Sequence, residues 1–450
     1  MDFDKALAYL DEHINLERLT GIAGRVEGLS LDHMRRVTEV LGDPQRHYPV
    51  IHLTGTNGKG STARMISALL GAHQLSVGTY TSPHLEHICE RITRNLEPIA
   101  RDEFARVIGE LAELEPLFGD RPSYFELLTA AAFSWFSQVA LDVAVVEVGL
   151  LGRWDATNVA DGQVAVITNI GRDHTDFVGD WRRRIAEEKA GIIKPGSHVI
   201  LGETDPSLRD VFEAEAQAGP RQAGRGDQAT LWVRDEDFGC VADRLAVGGH
   251  LVDLRTPHGV IEDVLLPVHG AHQVDNAACA VAAVEAFFGR ALHHDVVAEA
   301  FAGLRLPGRF EVLHRGPLLV LDGAHNPDGA RALARTLADE FDVAGHRHWV
   351  LGVLAGRDLD EMVEALGITA DDTVIACTPP SPRGVPAHEL AAAVAAQGVA
   401  AKAVNDPGQA LCRAWRTAEA AGEGDLVMVT GSLYTVGAAR TACRQLGLLG

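Results

Sequence analysis

The chain has 450 residues, of which 46% are hydrophobic and 23% charged, and its 62 acidic and 40 basic residues give a formal net charge of −22. These values indicate a globular protein of two or three domains, and they argue against a nucleic-acid or membrane partner, so small anions must be bound by local groups. The first residues show no basic region followed by an apolar core, and no uncharged apolar run of about 18 residues occurs, so we expect a cytoplasmic protein without a membrane span. The six cysteines have no paired spacing, so we expect neither zinc clusters nor disulfides.

Two helices are predicted before residue 50. Apolar residues recur with helical spacing at Phe3 to Leu10 and at Leu31 to Leu41. The polar stretch between them carries Gly21, Gly24 and Gly28, and we expect a mobile loop there.

A phosphate-binding loop is predicted where a short apolar strand, residues 50–53, meets a helical segment. The residues expected to hold ATP are Gly55, Thr56, Asn57, Gly58, Lys59, Gly60, Ser61 and Thr62. Glycines let backbone N–H groups approach phosphate oxygens, and the helix N-terminus adds partial positive charge. Lys59 is expected on the β- and γ-phosphates, with Ser61 or Thr62 facing the phosphate-bound Mg²⁺. The spacing is uncommon because Gly60 follows the lysine, and an ordinary glycine-rich turn is the alternative.

Three further strands are predicted to end in polar side chains. The strand Ser76 to Tyr80 leads into a turn with Ser82, Pro83 and His84; Asp142 to Val146 ends at Glu147; and Val164 to Thr168 precedes Asp173 and His174. Helical patterns at Asp102 to Leu114 and Tyr124 to Ser137 alternate with the strands, which predicts a doubly wound parallel sheet. A hydroxyl, a carboxylate and an imidazole beside the phosphates could hold Mg²⁺. Imidazole is an unusual Mg²⁺ ligand, so His174 could also be unrelated to metal, and Glu147 could be a solvated strand end.

The second half of the chain changes character twice. Residues 219–268 read as a small β-rich excursion with runs at Thr230 to Arg234 and His250 to Leu254, followed by a helix from Val274 to Phe288. The Pro307-Gly308 pair reads as a hinge. Beyond it, strands are predicted at Leu318 to Leu321, Trp349 to Leu354, Thr373 to Cys377 and Leu426 to Thr430, with alanine-rich helices between them. The predicted architecture is α/β: an N-terminal P-loop ATPase domain, residues 1–306, with a mostly parallel sheet, and a smaller Rossmann-like C-terminal domain, residues 307–450.

Two loops at predicted strand ends carry further polar groups. Residues 148–158 combine an arginine, an aspartate and an asparagine with glycines, and such loops commonly hold substrate. Residues 322–327 follow a buried-type strand and precede a helix, which is again the ligand edge of a parallel sheet. A helix cap made by Asn326 or Asp328 is the alternative there.

Taken together, these segments resemble the folylpolyglutamate synthase/dihydrofolate synthase family of the Mur ligase superfamily. The resembling segments are Gly55 to Ser61, Tyr80 to Leu85, Tyr124 to Glu126, Glu147 to Arg153, Asp155 to Asn158, Asp173 to Thr175, Glu188 to Ile192, Gly308 to Glu311 and Asp322 to Pro327. The family pattern after the glutamate is Val-Gly-Leu-Gly-Gly-Arg-Leu-Asp-Ala-Thr-Asn, whereas this chain has Leu151 and Trp154 at the second-glycine and leucine positions. Both changes enlarge the loop near the folate end, so they bear on the pterin substrate more than on the chemistry.

The resemblance implies an ATP-dependent ligase that joins L-glutamate to the carboxylate of dihydropteroate or to the terminal glutamate of a folate. The γ-phosphate goes to the carboxylate, and the glutamate amine then displaces phosphate from the acyl phosphate. Because phosphoryl and carboxylate groups repel each other, Lys59, Mg²⁺ and Arg309 are expected between them. A monomer is expected from the same resemblance.

The resemblance also implies roles for individual residues. The implied catalytic residues are Lys59, Glu147, His174 and Lys189. One Mg²⁺ would be held by Ser82 and Glu147, and a second by Glu147, His174 and a carbamylated Lys189. The implied contacts to ATP are Asn276, Arg309, Asp322 and His325, and the residues implied to lie near the folate are Ser82, Pro83, His84, Ser123, Phe125, Arg153 and Asp155. From the residues alone, Lys189 would be an ordinary surface lysine.

Two alternative functions would make different demands on the chain. A peptidoglycan-precursor ligase of the same superfamily would need an extra N-terminal domain for its nucleotide sugar, and only 49 residues precede Val50. A nucleotide-dependent switch would hydrolyse ATP without requiring the Mg²⁺ positions or the substrate loops. ATP hydrolysis that is unaffected by folate and glutamate would favour the switch.

Overall fold

The computed structural model describes residues 1–18, 30–172, 179–218 and 228–449. The predicted mobile loop, with Gly21, Gly24 and Gly28, lies outside the described residues, as do Asp173 and His174. Within the described residues, no helix is both long enough and apolar enough to cross a bilayer.

The described helices and strands follow the predicted βα alternation. The helices are α1 (Phe3–Asp11), α2 (Asp32–Val40), α3 (Lys59–Ala72), α4 (Arg101–Leu114), α5 (Tyr124–Gln138), α6 (Trp181–Ala190), α7 (Arg209–Gln217), α8 (Ala271–Phe288), α9 (His294–Ala302), α10 (Pro327–Glu340), α11 (Leu359–Ala365), α12 (Ala387–Ala396), α13 (Pro407–Ala421) and α14 (Leu433–Gln445). The strands are β1 (Val50–Thr54), β2 (Val77–Tyr80), β3 (Ile92–Arg94), β4 (Glu97–Pro98), β5 (Val143–Glu147), β6 (Gly162–Ile167), β7 (His198–Leu201), β8 (Thr230–Val233), β9 (Gly239–Ala246), β10 (Gly249–Thr256), β11 (Gly259–Leu266), β12 (Glu311–Arg315), β13 (Leu318–Leu321), β14 (Arg347–Leu351), β15 (Thr373–Ala376), β16 (Ala400–Ala403) and β17 (Leu426–Thr430).

An eight-stranded sheet organises the N-terminal part, in the order β4-β3-β2-β5-β1-β6-β7-β8, with all neighbours from β2 to β8 parallel. Helices cover both faces, which explains why β1 and β5 are buried along their whole length. Ile51 and Leu53 pack into a core with α3, α8 and α9, while Val50 packs into the opposite core with α4 and α5. The carboxyl ends of the central strands therefore meet at one edge between two helical layers.

The β-rich excursion is smaller than the sequence predicted. The run at Thr230 forms β8, which pairs in parallel with β7 as the last strand of the main sheet. Only β9, β10 and β11 form the separate antiparallel sheet, and they pack on α8 and α9 through Val252, Leu254 and Val264. An alternating run identifies a strand but not its partner, because pairing depends on residues far along the chain.

A six-stranded sheet organises the C-terminal part, in the order β12-β13-β17-β14-β15-β16, with β12 antiparallel and the other pairs parallel. All four strands predicted there are present, with alanine-rich helices between them. The structure adds the two edge strands, β12 and β16. The alanines of β16 have low β propensity and take their conformation from pairing with β15.

The two large sheets are joined through the predicted hinge. Gly308 has a φ of +67°, which favours glycine, and its N–H donates to Glu311 at 2.8 Å. The carboxyl ends of β1, β5 and β13 face a cleft between the two parts, and this cleft holds most of the polar residues singled out in the sequence.

Candidate active site

The interdomain cleft has a volume of about 440 Å³ and is built from loops at strand ends. From the N-terminal part come the phosphate loop, Ser82, Pro83, Glu147 and Asn276; from the C-terminal part come Arg309, Asp322, His325 and Asp328. The family resemblance implied that the phosphate loop, Asn276, Arg309, Asp322 and His325 would contact one nucleotide, and these residues line one cavity in the structure.

The phosphate loop has the backbone shape that phosphate binding needs. At Gly55 a Cβ would lie 1.8 Å from Oγ1 of Thr168, and at Gly58, where φ is +84°, it would lie 2.4 Å from Oδ1 of Asn276. Only glycine fits at either position. The α3 helix begins at Lys59, so its free N–H groups face the loop. Nζ of Lys59 donates to the Gly55 carbonyl at 2.9 Å.

The structure distinguishes between the two hydroxyls offered for Mg²⁺. Both residues belong to the first turn of α3, but Ser61 lines the cleft, whereas the side chain of Thr62 is fully buried and does not line it. Of the two hydroxyl residues, Ser61 is therefore the one at the surface of the cleft.

Two residues that the sequence analysis did not single out, Thr168 and Asn169, hold the phosphate loop in place. Asn169, two residues beyond β6, accepts a hydrogen bond from the Asn57 N–H at 2.9 Å and donates to the Asn57 carbonyl at 3.0 Å. Thr168 donates to the same carbonyl at 2.6 Å. The sequence signal was present, because Thr168 ends the predicted strand Val164 to Thr168 and Asn169 directly follows it.

Glu147 is the carboxylate at the centre of the cleft. Its side chain is buried at the end of β5 and accepts a hydrogen bond from the Ser82 N–H at 3.3 Å. Burial raises the pKa of the Glu147 carboxyl, and the cations Lys59 and Arg309 act in the opposite direction. A buried carboxylate beside the Ser61 and Ser82 hydroxyls has the oxygen chemistry of a Mg²⁺ site.

Lys189 contacts the phosphate loop from the opposite side. It is 5% exposed on α6, so it is not the surface lysine that the residue pattern alone indicated. Its Nζ donates to the Gly55 carbonyl at 2.8 Å, the same oxygen that Lys59 contacts. Two lysine side chains thus converge on one carbonyl of the loop.

The C-terminal wall of the cleft is organised by Asp322. This buried carboxylate accepts hydrogen bonds from the N–H groups of Phe310 and Ala324, both at 2.8 Å. Burial raises the pKa of Asp322, and Arg309 opposes the shift. His325 lines the same cleft, with Nδ1 at 2.9 Å from the Gly323 carbonyl.

Several residues expected near the folate have structural partners instead. Arg153 pairs with Glu215 at 2.8 Å, and buried Asp155 caps residues 156–159 and accepts from Thr157. Ser123 caps α5 in a reciprocal box with Glu126. None of these three lines the nucleotide cleft, and their role near the folate stays a prediction. Arg153 packs directly against Gly191 at the end of α6, where a Cβ would come within 2.5 Å of the Arg153 Cβ.

Phe125 and His84 lie closer to the cleft. The Phe125 ring fills the space beside Gly149, where a Cβ would come within 2.4 Å of it. His84 accepts a hydrogen bond from Nε of Arg91 at 3.0 Å, and burial followed by the Arg91 charge lowers the pKa of His84 to about 4. Arg91 itself forms a buried bidentate pair with Glu17, at 2.7 and 2.8 Å. No local sequence pattern marked this pair.

Comparison with protein families agrees with this architecture. Residues 53–284 match the Mur ligase middle domain, and residues 308–433 match the Mur ligase glutamate ligase domain. The second match begins at Gly308, the second residue of the predicted hinge.

Individual relatives cover nearly the whole chain. The dihydrofolate synthase/folylpolyglutamate synthase of Mycobacterium tuberculosis is 38% identical, over 92% of this chain and 89% of its own length. The structure of the Mycobacterium tuberculosis folylpolyglutamate synthase complexed with ADP and AMPPCP superimposes with a TM-score of 0.87, at 37% identity over 98% of each chain. A bifunctional folylpolyglutamate synthase/dihydrofolate synthase with Mn, AMPPNP and L-glutamate bound gives a TM-score of 0.81, at 31% identity over 99% of this chain and 98% of that one. This chain therefore belongs to the folylpolyglutamate synthase/dihydrofolate synthase family of Mur ligases.

Proposed function

We propose that the protein is an ATP-dependent ligase that adds L-glutamate to the carboxylate of dihydropteroate, to the terminal glutamate of a folate, or to both. The observation that carries this proposal is the cleft in which Lys59 and Glu147 of the N-terminal part face Arg309 and Asp322 of the C-terminal part. It is supported by the ATP analogues and the L-glutamate that the structures of relatives contain, and by the synthase names of the relatives.

The chemistry follows from the charges around the cleft. A carboxylate oxygen of the acceptor attacks the γ-phosphorus of ATP and ADP leaves, which gives an acyl phosphate. The amine of L-glutamate then attacks the acyl carbon, releases phosphate and loses a proton as the amide forms. Lys59 and Arg309 offset the repulsion between phosphate and carboxylate in the first step, in a site partly shielded from water.

A divalent metal is also proposed, and Mg²⁺ is the expected ion. Ser61, Ser82 and Glu147 present oxygen atoms at one end of the cleft and fit such an ion. When bound, Mg²⁺ neutralises phosphate charge during transfer. Carbamylation of Lys189 remains part of the proposal, since this buried lysine lies at the phosphate loop. His174, the other predicted metal ligand, lies outside the described residues, so its role stays a prediction.

Four expectations remain proposals beside the main one. They are a folate substrate as distinct from dihydropteroate, a monomeric state, a cytoplasmic location, and a boundary between two domains at residues 306 and 307. The match of the glutamate ligase domain from residue 308 supports the boundary.

The test is a phosphate-release assay with ATP, Mg²⁺ and L-glutamate, run separately with dihydropteroate and with a reduced folate. Phosphate release that requires both an acceptor and glutamate, with the glutamylated product detected by mass spectrometry, is the expected result. ATP hydrolysis that is indifferent to both would overturn the ligase in favour of a nucleotide-dependent switch. Activity with one acceptor alone would assign the synthase type.

A further inference from the structure

The turn that follows β2 contacts both the cleft and the C-terminal part of the chain. Ser82, near its start, lines the cleft, and four residues later Glu86 pairs with α14. The approach is close, because at Gly437 on α14 a Cβ would lie 1.9 Å from the carbonyl oxygen of Leu85. The turn and α14 therefore pack backbone against backbone, although they belong to different parts of the chain.

Glu86 is the charged group of the turn in this contact. Its side chain is 2% exposed, and it forms ion pairs with Arg440 and Arg444. Nη2 of Arg444 donates to it at 2.7 Å and Oγ1 of Thr441 at 3.0 Å. Burial alone would raise the pKa of Glu86, but the hydrogen bonds from Arg444 and Arg440 outweigh it and lower that pKa to about 2. Glu86 is therefore ionised at neutral pH.

The α14 residues in this contact follow helical spacing. Gly437, Arg440, Thr441 and Arg444 are separated by intervals that place them on one face of the helix. This face presents two cations and a hydroxyl donor to a single carboxylate. An ionised carboxylate has about four acceptor sites, so Glu86 can accept from all three donors at once.

The charged contacts continue from α14 to the hinge. Arg440 also donates to Glu311 of β12, from Nη2 to Oε1 at 3.1 Å and from Nε to Oε2 at 3.1 Å. Oε2 of Glu311 accepts the Gly308 N–H at 2.8 Å. One chain of contacts thus runs from Glu86 through α14 to the backbone of the hinge. A rotation of the C-terminal part has to carry the turn with it or break the pairs.

The turn is braced between Glu86 and Ser82. The Glu90 carboxylate accepts from the N–H groups of residues 85–87, at 2.9, 3.2 and 3.0 Å in chain order. The ring of Pro83 restricts the backbone dihedral φ in the segment before them. A displacement of Glu86 is therefore passed to Ser82 and is not absorbed by a loose loop.

Ser82 is the point at which this arrangement meets the proposed metal site. Its N–H donates to Oε2 of Glu147 at 3.3 Å, so the two residues are neighbours at the end of the cleft. Mg²⁺ demands near-ideal placement of its oxygen ligands. The position of Ser82 relative to Glu147 therefore affects how well the two residues can share one ion.

We propose that Glu86 is a positioning residue for the reaction: by holding the turn after β2 against α14, it places Ser82 for the divalent metal and couples metal binding to the position of the C-terminal part. This inference rests on the proposed ligase function, which requires the metal beside the nucleotide. If the pairs only stabilised the packing of the two parts, their loss would lower stability and leave the metal affinity unchanged.

The test measures Mn²⁺ binding by electron paramagnetic resonance, with AMPPNP bound to an excess of the full chain. Glu86→Gln keeps the size of the side chain and removes its charge, and we expect it to raise the Kd for Mn²⁺ about 10-fold, the scale of one coupled charged contact. Arg444→Gln should raise the Kd as well. The double variant should show less than the product of the two effects, because both changes break the same contact. The Mg²⁺ concentration for half-maximal phosphate release should rise with the Kd.

Asp372→Asn is the matched control. Like Glu86, Asp372 has a side chain that is 2% exposed, and it pairs bidentately with Arg347 at 2.7 and 2.8 Å. Both residues of this pair belong to the C-terminal part. The control should therefore lower the melting temperature and leave the Kd for Mn²⁺ unchanged.

Four results would overturn the inference. They are a wild-type Kd for Mn²⁺ in folded Glu86→Gln, an equal rise in Asp372→Asn, single effects that multiply fully in the double variant, and no Mn²⁺ binding by the wild-type complex. If Glu86→Gln does not fold, a wild-type Kd in Arg444→Gln, whose side chain is 44% exposed, would overturn it. Failure of the wild-type protein to ligate glutamate to any acceptor, with Mn²⁺ bound, would instead disprove the proposed function.

Discussion

Asn326 donates a hydrogen bond from its side-chain nitrogen to Oδ1 of Asn57 at 2.9 Å, which joins the first loop of the C-terminal part directly to the phosphate loop. The same side chain caps α10 by accepting from the Gly329 N–H at 2.8 Å. Helix cap and ligand edge, offered as alternatives in the sequence, are thus combined in one residue.

Asn326→Asp should separate these two roles. Aspartate keeps the acceptor that caps α10 but removes the donor to Asn57 and adds negative charge beside the phosphate loop. We expect unchanged thermal stability and a KM for ATP raised about 10-fold, from a lost hydrogen bond of about 1 kcal/mol plus repulsion. Asn326→Ala, which loses the cap as well, should also lower the melting temperature. A wild-type KM for ATP in the aspartate variant would contradict the role of the cross-cleft bond.

Lys59→Ala should abolish turnover and leave the fold intact. The lysine contacts loop carbonyls and contributes little to either core, whereas its charge acts on phosphates. Loss of one such contact typically costs a factor on the order of 100 or more in rate. Circular dichroism and the phosphate-release assay measure the two effects, with Lys402→Ala on the exposed edge strand β16 as control. Substantial activity in folded Lys59→Ala would refute the assignment.

Lys189→Ala should lose most activity, and acetate should partly restore it. An ammonium has no lone pair for a metal, whereas the carbamylated side chain ends in two oxygens. A small carboxylate could occupy the vacated space. A crystal structure with Mg²⁺ and ATP analogue bound checks the modification directly. A bare ammonium at Lys189 in that complex, or full activity of the alanine variant, would rule out carbamylation.

ATP analogue and acceptor together should draw the two parts of the chain closer. Lys59 lies on one side of the cleft and Asp322 and His325 on the other, so we expect a nucleotide in the cleft to bridge them. Rotation is expected at Pro307-Gly308, next to Phe310, whose φ is +44°. Small-angle scattering should show a smaller radius of gyration on binding. An unchanged radius, with binding confirmed by calorimetry, would argue for a rigid cleft.

Glu340→Gln should weaken another contact between the two parts, at α10, in a pH-dependent way. The Glu340 carboxylate on α10 is 3.0 Å from Nε2 of His250 and 2.7 Å from Nδ1 of His269, and it accepts from the Gly270 N–H. The hydrogen bond to Glu340 raises the pKa of His250, burial lowers it, and the hydrogen bond to Asp243 raises it further, so the net shift is upward. Burial alone would raise the pKa of Glu340, but His250 and His269 outweigh it and lower that pKa to about 2.

The sign of the effect follows from these shifts. Because the pKa of His250 is raised on folding, protonated His250 stabilises the fold. This contribution is complete below the pKa of histidine in the unfolded chain, about 6.5, and is lost as pH rises through the pKa of His250 in the folded protein. The lowered pKa of Glu340 stabilises above its unfolded value of 4.5 and is lost as pH falls towards 2. Glu340→Gln should therefore cost about 2 kcal/mol of unfolding free energy between these limits and less at alkaline pH. Urea unfolding at several pH values measures this, with exposed Glu364→Gln as control. A pH-independent loss would show that the histidine charge is not involved.

The local sequence pattern was sufficient to predict those functional groups whose members are neighbours in the chain. The phosphate loop needs glycines, a lysine and a helix start within a few residues, so it could be read directly. Polar residues such as Glu147 and Asp322 could be placed at the ligand edge because they follow apolar strands, and the ends of parallel strands share an edge.

What the sequence by itself determined was therefore the order of strands and helices and the chemistry available at the strand ends. Only the tertiary structure decided which of those groups face the cleft. Ser61 and not Thr62 lines it, and Arg153 and Asp155 turn to structural partners. The physical reason is that a side chain's role depends on whether a charge or hydrogen-bonding group from elsewhere in the chain already satisfies it, and that is fixed by packing between distant segments.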